Sequence, residues 1–388
     1  MDKSGFQHSE AFLQWIWENL LFDFTDLKTT CGRSLNIIKQ GILNTTDGPD
    51  FTQAAIEVDN IIWHGDVEIH VKSKGWNAHD HQDDANFNTV ILHVVTDGNP
   101  QSVMTRNGST PYTLNLIPYL PKQLRLFLKG FEDPEALPCS RSVSFISEEA
   151  FLQQIEKAHI EYFEKKSNDI LRFYDPEKLP SKAWKDALIL SLWDGLGIAH
   201  NREPMQETAR QLLKEWSGTS VKEGIECAFS IAGLNNDGSD IRWNLKSVRP
   251  ANHPKQRITE AVELTALILN EPFKNLITSR SIEVWKVWIE AAGLRRSSRI
   301  EILYGTAFLP SIYVLGNLFA HQKLSQQALS GWKQLKTPIP ISLLKRFKSL
   351  NLNSSAYRKK LGAIHQLKSY CDDLRCSECF VLKNAIES

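Results

Sequence analysis

Residues 66–72 alternate strictly between polar and apolar side chains, and this pattern constrains the fold of the chain more than any other. Successive side chains of a β-strand point to opposite faces, so one face of this segment would be apolar and the other polar. The polar face carries Asp66, Glu68, His70 and Lys72. The pattern predicts a strand that packs its apolar face against a core and presents two carboxylates, an imidazole and an ammonium group on the other.

The segments around this strand predict a mixed β-sheet. Extended patterns cover residues 34–43, 54–58, 61–72 and 89–95. Asp59 and Asn60 favour a hairpin turn between two of these segments. The last segment is apolar on both faces apart from His93, which is typical of a central strand. With an amphipathic helix at the start of the chain, we expect a mixed sheet flanked by helices.

The remainder of the chain has a helical pattern. Beyond Ser147, apolar residues recur with helical spacing. Helices are predicted over residues 181–196, 204–216, 221–233, 254–269, 281–292 and 300–319. Pro134 and Pro138 mark a linker before this part. Since 388 residues exceed one typical core, we expect an α+β chain with a sheet domain over residues 1–135 and a mainly α-helical domain over residues 136–388.

Asp50, in a turn upstream of the alternating strand, supplies a further carboxylate for a metal site on the polar face. Mg²⁺ or Mn²⁺ could bind oxygens of Asp50 and Glu68, with the backbone carbonyl of Ile69 as a third ligand. Such an ion polarises a phosphate and lowers the pKa of an attacking water. His70 would activate that water or orient the phosphate, and Lys72 would offset negative charge. These residue types fit metal-dependent hydrolysis of a phosphodiester.

The Pro-Asp sequence at Asp50 and the Glu-x-His sequence at Glu68 resemble the two half-motifs of the PD-(D/E)xK nuclease superfamily, and the resemblance covers residues 9–95. It implies a restriction-endonuclease-like core, built from a helix, a mixed sheet with a hairpin and a second helix. It also implies metal-dependent cleavage of DNA or RNA. His70 departs from the pattern because it stands where the superfamily has lysine. Glu10 on the first helix corresponds to an accessory acid of some members.

Histidine is concentrated in the same region, since five of the eleven histidines fall within residues 64–93. They are His64, His70, His79, His81 and His93. His79 and His81 could hold zinc or iron together with His70 or Glu68, which would make the chain a histidine-ligated metalloenzyme acting on a small molecule. If the nuclease resemblance applies, His79 and His81 instead contact the phosphates of nucleic acid.

Positive charge is concentrated in the last third of the chain. Residues 280–388 contain 17 Lys and Arg against 7 Asp and Glu, although the whole chain has a net charge of zero. Arg249 and Arg257 flank the start of a predicted helix, where they and free backbone amides could contact phosphates. Because His70 replaces a lysine, a third hypothesis is a catalytically inactive nuclease-fold protein that binds nucleic acid through its basic part or acts as a scaffold.

Three cysteines late in the sequence, Cys371, Cys376 and Cys379, have the spacing of metal ligands. A closed site needs a fourth ligand, for which Cys139 and His365 are candidates. Zinc or an iron–sulfur cluster would suit such a set, and free thiols are the alternative. With Cys139, the arrangement is similar to the iron–sulfur staple of certain recombination and CRISPR-associated exonucleases of the same superfamily.

Four short motifs and the cysteine cluster together resemble one bacterial family that is known only as a domain of unknown function. The motifs are Gly-Pro-Asp-Phe, Gly-Asp-Val-Glu-Ile-His, Leu-His-Val-Val and Arg-Pro-Ala-Asn-His-Pro. The resemblance covers nearly the whole chain. It implies a shared architecture without an activity.

No stretch of the sequence has the pattern of a targeting or membrane segment. The first residues lack a basic segment followed by an apolar core, so we expect no secretory signal. No run approaches the roughly 18 apolar residues of a membrane span. We therefore expect a cytoplasmic protein, whose reducing surroundings keep its cysteines free of disulfides.

Overall fold

The computed structural model describes residues 3–133, 136–145, 147–197, 200–235, 240–246, 250–278, 280–294, 298–337, 339–350, 357 and 360–387. The chain divides into two units. The first comprises Met1–Gln154, Ile341–Ser354 and Gln366–Ser388, and the second comprises Ile155–Pro340 and Ser355–His365. This division differs from the boundary expected at residue 135, because two late segments of the chain belong to the first unit.

A mixed β-sheet forms the centre of the first unit. Its strands are β1 (Leu27–Lys28), β2 (Ser34–Lys39), β3 (Ile42–Leu43), β4 (Phe51–Val58), β5 (Ile61–His70), β6 (Val90–Val95) and β7 (Tyr112–Asn115). Among the described residues the order across the sheet is β1-β2-β4-β5-β6-β7, with β3 paired to β4. The pairs β5–β6 and β6–β7 are parallel and the other pairs are antiparallel. The mixed sheet is therefore confirmed, and β1 and β7 are strands that the sequence patterns did not indicate.

The hairpin of β4 and β5 brings distant parts of the candidate site together. Its turn residues, Asp59 and Asn60, have positive φ angles of 49° and 65°, as a two-residue type I′ turn requires. The antiparallel register pairs Phe51 with Val67. The residue before Phe51 therefore lies close to the residue after Val67, which places Asp50 beside Glu68.

Helix α1 packs on the sheet. The α-helices of the described residues are, in chain order, α1 (Lys3–Glu18), α2 (Gly75–Ala78), α3 (Lys122–Gly130), α4 (Glu148–Leu171), α5 (Pro180–Leu196), α6 (Arg202–Glu215), α7 (Val221–Ile231), α8 (Pro254–Asn270), α9 (Phe273–Leu276), α10 (Ser281–Ala291), α11 (Ser298–Leu303), α12 (Leu309–Leu318), α13 (Gln322–Lys333), α14 (Gly362–Gln366) and α15 (Phe380–Glu387). The apolar face of α1, with Phe12 and Ile16, shares a core with Phe51 and Val67 of the sheet. Full burial of such a side chain stabilises the fold by about 1.5–3 kcal/mol, so this core fixes α1 against the hairpin.

The secondary structure of the second unit consists of helices in its described residues. The helices predicted over residues 181–196, 204–216, 221–233, 254–269 and 281–292 agree with α5, α6, α7, α8 and α10 to within a few residues. Over residues 300–319 the pattern predicts one helix, whereas the structure has α11 and α12 joined by a π-helical turn, Tyr304–Phe308. The core of this unit includes Trp184 and Trp193. The indole nitrogen of Trp184 donates to the carbonyl of Ser311 at 2.7 Å, which satisfies a buried polar atom.

The described residues form an α+β structure, as the sequence predicts, with a mixed sheet first and helices after it. No helix among them combines the length and the apolar composition needed to cross a membrane. The sheet and α1 position the candidate site, which lies where β5 meets β6.

Candidate metal centre

Acidic and imidazole side chains from five segments of the first unit meet at one end of the sheet. They are Glu10 on α1, Asp50 before β4, Glu68 and His70 on β5, His79 and His81 after α2, and His93 on β6. The register places Glu68 beside His93 on the neighbouring parallel strand. Glu68, His70 and His93 are 5%, 1% and 0% exposed, so these polar side chains occupy an interior site.

The two carboxylates that the sequence pairs are brought together by the hairpin. Glu68 Oε2 accepts a hydrogen bond from the backbone amide of Asp50 at 3.0 Å. In return, Asp50 Oδ2 accepts from the amide of Ile69 at 2.9 Å, and its Oδ1 accepts from Gln14 Nε2 at 2.7 Å. Reciprocal side-chain to backbone bonds across two strands fix both carboxylates, as a preformed binding site requires.

Burial changes the acidity of this pair. It raises the pKa of Asp50 to about 7, with a further contribution from the neighbouring charge of Glu68. Burial likewise raises the pKa of Glu68 to about 8. Desolvation and like charge both disfavour the ionised form of a carboxylate. A bound cation would reverse this effect, so the acidic pair fits a site for a positive ion.

The imidazole rings lie close enough to share one ion. His70 Nε2 is 3.2 Å from His79 Nδ1, and one nitrogen each of His70, His79 and His81 lie within 4.8 Å of one another. Glu68 Oε1 is 3.1 Å from His81 Nε2 and 3.6 Å from His70 Nε2. Three imidazoles and one carboxylate are a common ligand set for divalent transition metals.

Two nitrogens of the site, His81 Nε2 and His93 Nδ1, are buried without a hydrogen-bond partner. His81 Nε2 approaches Glu68 Oε1 closely, yet the contact does not have hydrogen-bond geometry, and the nitrogen is a buried polar atom without a partner. Such atoms are rare in folded proteins because desolvation without compensation is costly. A metal ion between the nitrogen and the carboxylate would satisfy both, so the residues present fit a bound metal.

His70 is held in its neutral form. Burial, together with the neighbouring imidazoles of His93, His81 and His79, lowers the pKa of His70 to about 2. Burial also lowers the pKa of His93 to about 3. A neutral imidazole is the form that ligates metals. His70 is therefore suited to bind an ion, and it does not supply the positive charge of the lysine that it replaces.

Close packing positions the histidines. Trp76 is fully buried, and its ring centroid lies 5.5 Å from that of His81 and 5.4 Å from that of His93. Gly75 lies against His70, because a Cβ atom at position 75 would be 2.4 Å from Cδ2 of the imidazole. Glycine at this position therefore allows the chain to pass directly over the His70 ring.

The remaining residues expected near the N-terminal site have different placements. Glu10 Oε1 accepts from the amide of Val71 at 3.4 Å, and burial raises the pKa of this carboxyl. It thus lies at the edge of the site, as the resemblance implies. Lys72 lies beyond the end of β5 and is exposed. Against the effect of burial, hydrogen bonds from Ser73 lower the pKa of Asp97, and the charge of Lys72 adds to this effect. Because β5 ends at His70, Lys72 lies outside the strand on which it was expected to face the carboxylates.

Of the two arginines expected to contact nucleic acid, Arg257 lies in α8 of the second unit. Arg249 lies outside the described residues. Arg257 is 7% exposed, and its guanidinium binds Glu260 Oε2 and Asn252 Oδ1 at 2.6 Å each. Its two terminal nitrogens are thus engaged inside the protein, while its Nε is buried without a hydrogen-bond partner. This placement does not favour the expected phosphate contact, which stays a prediction.

Gln14 is a site residue that the sequence patterns did not indicate. It lies four residues after Glu10 on α1, and residues at this spacing share a helix face. A search for polar residues on the same helix face as Glu10 would therefore have identified Gln14 from the sequence. His93 is fully buried in the central strand β6, and its Nε2 lies 2.9 Å from Nδ1 of His70.

A family model described as "Protein of unknown function (DUF2851)" matches residues 10–222. The match includes the whole histidine and carboxylate site and Cys139, and it ends before the three late cysteines. Comparisons with curated proteins and with solved structures give no match.

Proposed function

The chain belongs to the DUF2851 family, and we propose that it is a metal-dependent hydrolase that cleaves phosphodiester bonds in nucleic acid. The observation that carries this proposal is the group of three imidazoles, two of which lie close to Glu68, beside Asp50 and next to the hairpin of a mixed sheet. The order of α1, hairpin, α2 and the parallel strand β6 supports the proposal, because the PD-(D/E)xK resemblance implies a helix, a mixed sheet with a hairpin and a second helix.

The donor atoms indicate which ion the site would take. His70, His79, His81 and Glu68 would hold it, with Asp50 as a neighbouring carboxylate. Mg²⁺ prefers oxygen ligands, whereas Mn²⁺ also accepts imidazole nitrogen. Of the two ions expected from the sequence, Mn²⁺ therefore suits this site better. When bound, a divalent ion would polarise the phosphate and lower the pKa of the attacking water.

The protein residues contribute position and charge. Glu68 and Asp50 are fixed by backbone amides, so their oxygens need little reorganisation. His70 has Nδ1 against His93 and directs Nε2 towards His79. Both ring nitrogens are thus engaged, which favours a ligand role for His70 over the expected role of activating water. Glu10 adds a carboxyl at the edge of the site.

Nucleic acid as the substrate rests on two features of the sequence. The half-motifs at Asp50 and Glu68 are those of a nuclease superfamily, and residues 280–388 carry 17 basic against 7 acidic side chains. A polyanion is attracted to such a charge excess. A reducing cytoplasm is the compartment we propose, since all six cysteines lie in the described part of the chain and are free of disulfides.

A second candidate function is a histidine-ligated metalloenzyme that acts on a small molecule. The grouping of three imidazoles favours it, because nitrogen-rich sites also suit zinc and iron. The two candidates share the metal centre and differ in the substrate. Binding of nucleic acid therefore distinguishes them.

A cleavage assay tests the proposal directly. Purified protein is incubated with labelled single- and double-stranded DNA and RNA in the presence of Mn²⁺ or Mg²⁺. We expect cleavage with Mn²⁺, its loss in Asp50→Asn and Glu68→Gln, and its retention in Asp47→Asn, a matched change at an exposed aspartate of the same turn. Tight binding without cleavage would instead favour the inactive nucleic-acid-binding protein. Metal binding without any affinity for nucleic acid would favour the small-molecule enzyme.

A further inference from the structure

Cys139 and the three late cysteines, which are distant from it in the sequence, meet in the first unit. Cys139 lies in the 3₁₀ turn Pro138–Phe145, Cys371 ends the π-helical turn Leu367–Cys371, Cys376 begins the turn Cys376–Glu378, and Cys379 precedes α15. Residues 366–388 thus return to the turn that follows α3. The fourth ligand expected for the late cysteines is therefore Cys139.

His365, the other candidate for the fourth ligand, belongs to the second unit. Its Nε2 lies 3.7 Å from Glu161 Oε2, and its ring stacks on Tyr162 with centroids 5.4 Å apart. These contacts hold the imidazole among residues of its own unit. The cysteine set is thus formed by sulfur ligands alone.

The four cysteines line one apolar cavity. Other lining residues are Phe127, Leu137, Phe151, Tyr370, Val381 and Leu382. A cavity with apolar walls and four cysteines in its lining has the chemistry of a site for a soft inorganic group.

A positively charged ligand would stabilise the thiolate form of these cysteines. They lie among apolar side chains, where a thiolate without a partner would be poorly solvated. None of the four forms a disulfide, and all four lie in the described part of the chain. A coordinated metal removes the proton from each ligating thiol and neutralises the resulting charge.

A hydrogen-bond network supports two of the sulfur atoms. Gln366 Nε2 lies 3.6 Å from Cys371 Sγ and 3.7 Å from Cys379 Sγ, where it donates to both. Gln366 Oε1 accepts from Gln154 Nε2 at 2.7 Å, and Gln154 Oε1 accepts from the amide of Phe380 at 2.9 Å. Amide donors around sulfur ligands are typical of metal sites, because they orient the ligands and stabilise thiolate.

The spacing of the sulfur atoms distinguishes two kinds of metal site. A single zinc ion with four Zn–S bonds of about 2.3 Å holds its sulfur atoms about 3.8 Å apart. Within the described residues, the potential ligand atoms that all lie within 4.8 Å of one another are those of His70, His79 and His81, and no three of the cysteine sulfurs are that close. Iron–sulfur clusters bind four cysteines at wider spacing, since several metal atoms lie between them.

We propose that Cys139, Cys371, Cys376 and Cys379 bind an iron–sulfur cluster that joins residues 366–388 to the turn after α3. The cluster consists of iron and inorganic sulfide, and each cysteine contributes one thiolate sulfur. Its place in the fold is structural, because it connects segments that are more than 200 residues apart in the sequence. This proposal does not depend on the function proposed for the histidine site.

The test is the metal content of the full-length protein purified without oxygen. We expect about two to four iron atoms and a similar amount of acid-labile sulfide per chain, with visible absorbance that reducing agents bleach. Cys139→Ser and Cys376→Ser should lose most of the iron. Cys31→Ser, at an exposed cysteine remote in sequence from the others, should keep it.

Two further measurements keep the outcome clear. Far-UV circular dichroism separates loss of the cluster from loss of the fold in the serine variants. Metal-stripped wild-type protein should regain the absorbance when ferrous iron and sulfide are added. One zinc ion per chain without iron would overturn the proposal in favour of a zinc site. Protein that contains neither metal and fails to take up iron and sulfide would overturn it in favour of free thiols.

Discussion

His70 Nδ1 lies 2.9 Å from His93 Nε2. The two residues lie on the neighbouring parallel strands β5 and β6, and both rings are buried. A ring that ligates a metal through Nε2 carries its proton on Nδ1, and here His93 is in place to accept that proton in a hydrogen bond. This arrangement fixes the orientation of His70 before any ligand arrives. Outer partners of this kind usually matter nearly as much as the ligands themselves.

Replacing His93 should therefore weaken metal binding without removing a ligand. In His93→Phe, a ring of similar size fills the space but cannot accept the hydrogen bond from His70. We expect the Kd for Mn²⁺, measured by isothermal titration calorimetry, to rise about 10- to 100-fold. His64→Ala is the control, because His64 is exposed on β5 and away from the site. An unchanged Kd in His93→Phe would show that His93 does not orient the ligand.

Gly75 provides a second, steric test of the same site. In Gly75→Ala the new Cβ would lie 2.4 Å from Cδ2 and 2.8 Å from Cγ of His70, so the imidazole must move. We expect a stability loss of about 1–3 kcal/mol in urea unfolding, typical of overpacking, together with weaker Mn²⁺ binding.

Gly98→Ala is the matched control for Gly75→Ala. A Cβ at position 98 meets no atom within 4 Å, so both stability and metal affinity should stay near the wild-type values. Equal behaviour of the two alanine variants would contradict a requirement for close approach at Gly75.

Local patterns in the sequence predicted much of the site. Alternation over residues 66–72 gives β5, and the turn chemistry of Asp59 and Asn60 gives the hairpin, because both depend on neighbouring residues. The approach of His81 to Glu68 depends on the path of the loop after α2. No local period encodes such a path, which is why the sequence left the histidines open to two roles.

Long-range docking is the other part that local patterns do not contain. The return of residues 366–388 to the turn of Cys139 involves segments with no shared period, and only the spacing of the late cysteines hinted at a common ligand. At Lys72, in contrast, the sequence pattern extends further than the strand does. The alternation continues to Lys72 in the sequence, yet the strand ends at His70, because a periodic pattern does not determine where strand pairing stops.

His159 predicts a pH dependence of stability in the second unit. The ring is fully buried, its Nε2 lies 3.0 Å from the carbonyl of Trp332, and its Nδ1 accepts from the amide of Gly362 at 3.1 Å. Burial lowers the pKa of His159. Protonation of Nδ1 would also place an N–H group against the Gly362 amide, so the folded protein favours the neutral ring.

The direction of this pH dependence follows from the number of protons that His159 binds in the folded and unfolded states. Below the ordinary histidine pKa of about 6.5, the unfolded chain binds a proton at His159 that the folded chain does not. The free energy of unfolding should therefore decrease as the pH falls below about 6.5. Above that pH, the contribution of neutral His159 should be fully present. We expect His159→Gln to show a smaller decrease in urea midpoint between pH 7 and pH 5.5 than the wild type. A decrease of the same size in both proteins would contradict this assignment.

Arg257 separates a structural role from a nucleic-acid contact. Its guanidinium forms a buried ion pair with Glu260 at 2.6 Å and a second bond to Asn252. Removing one partner of a buried pair leaves the other charge uncompensated, which typically costs about 3–5 kcal/mol. Arg257→Ala should thus lower the free energy of unfolding by an amount of this order.

The exposed pair of Arg210 and Glu207, 3.8 Å apart, is the control, and Arg210→Ala should cost about 0–1 kcal/mol. If Arg257→Ala left stability unchanged but weakened binding to DNA or RNA in a salt-dependent way, the guanidinium would contact phosphate and the buried pair would not be its main role.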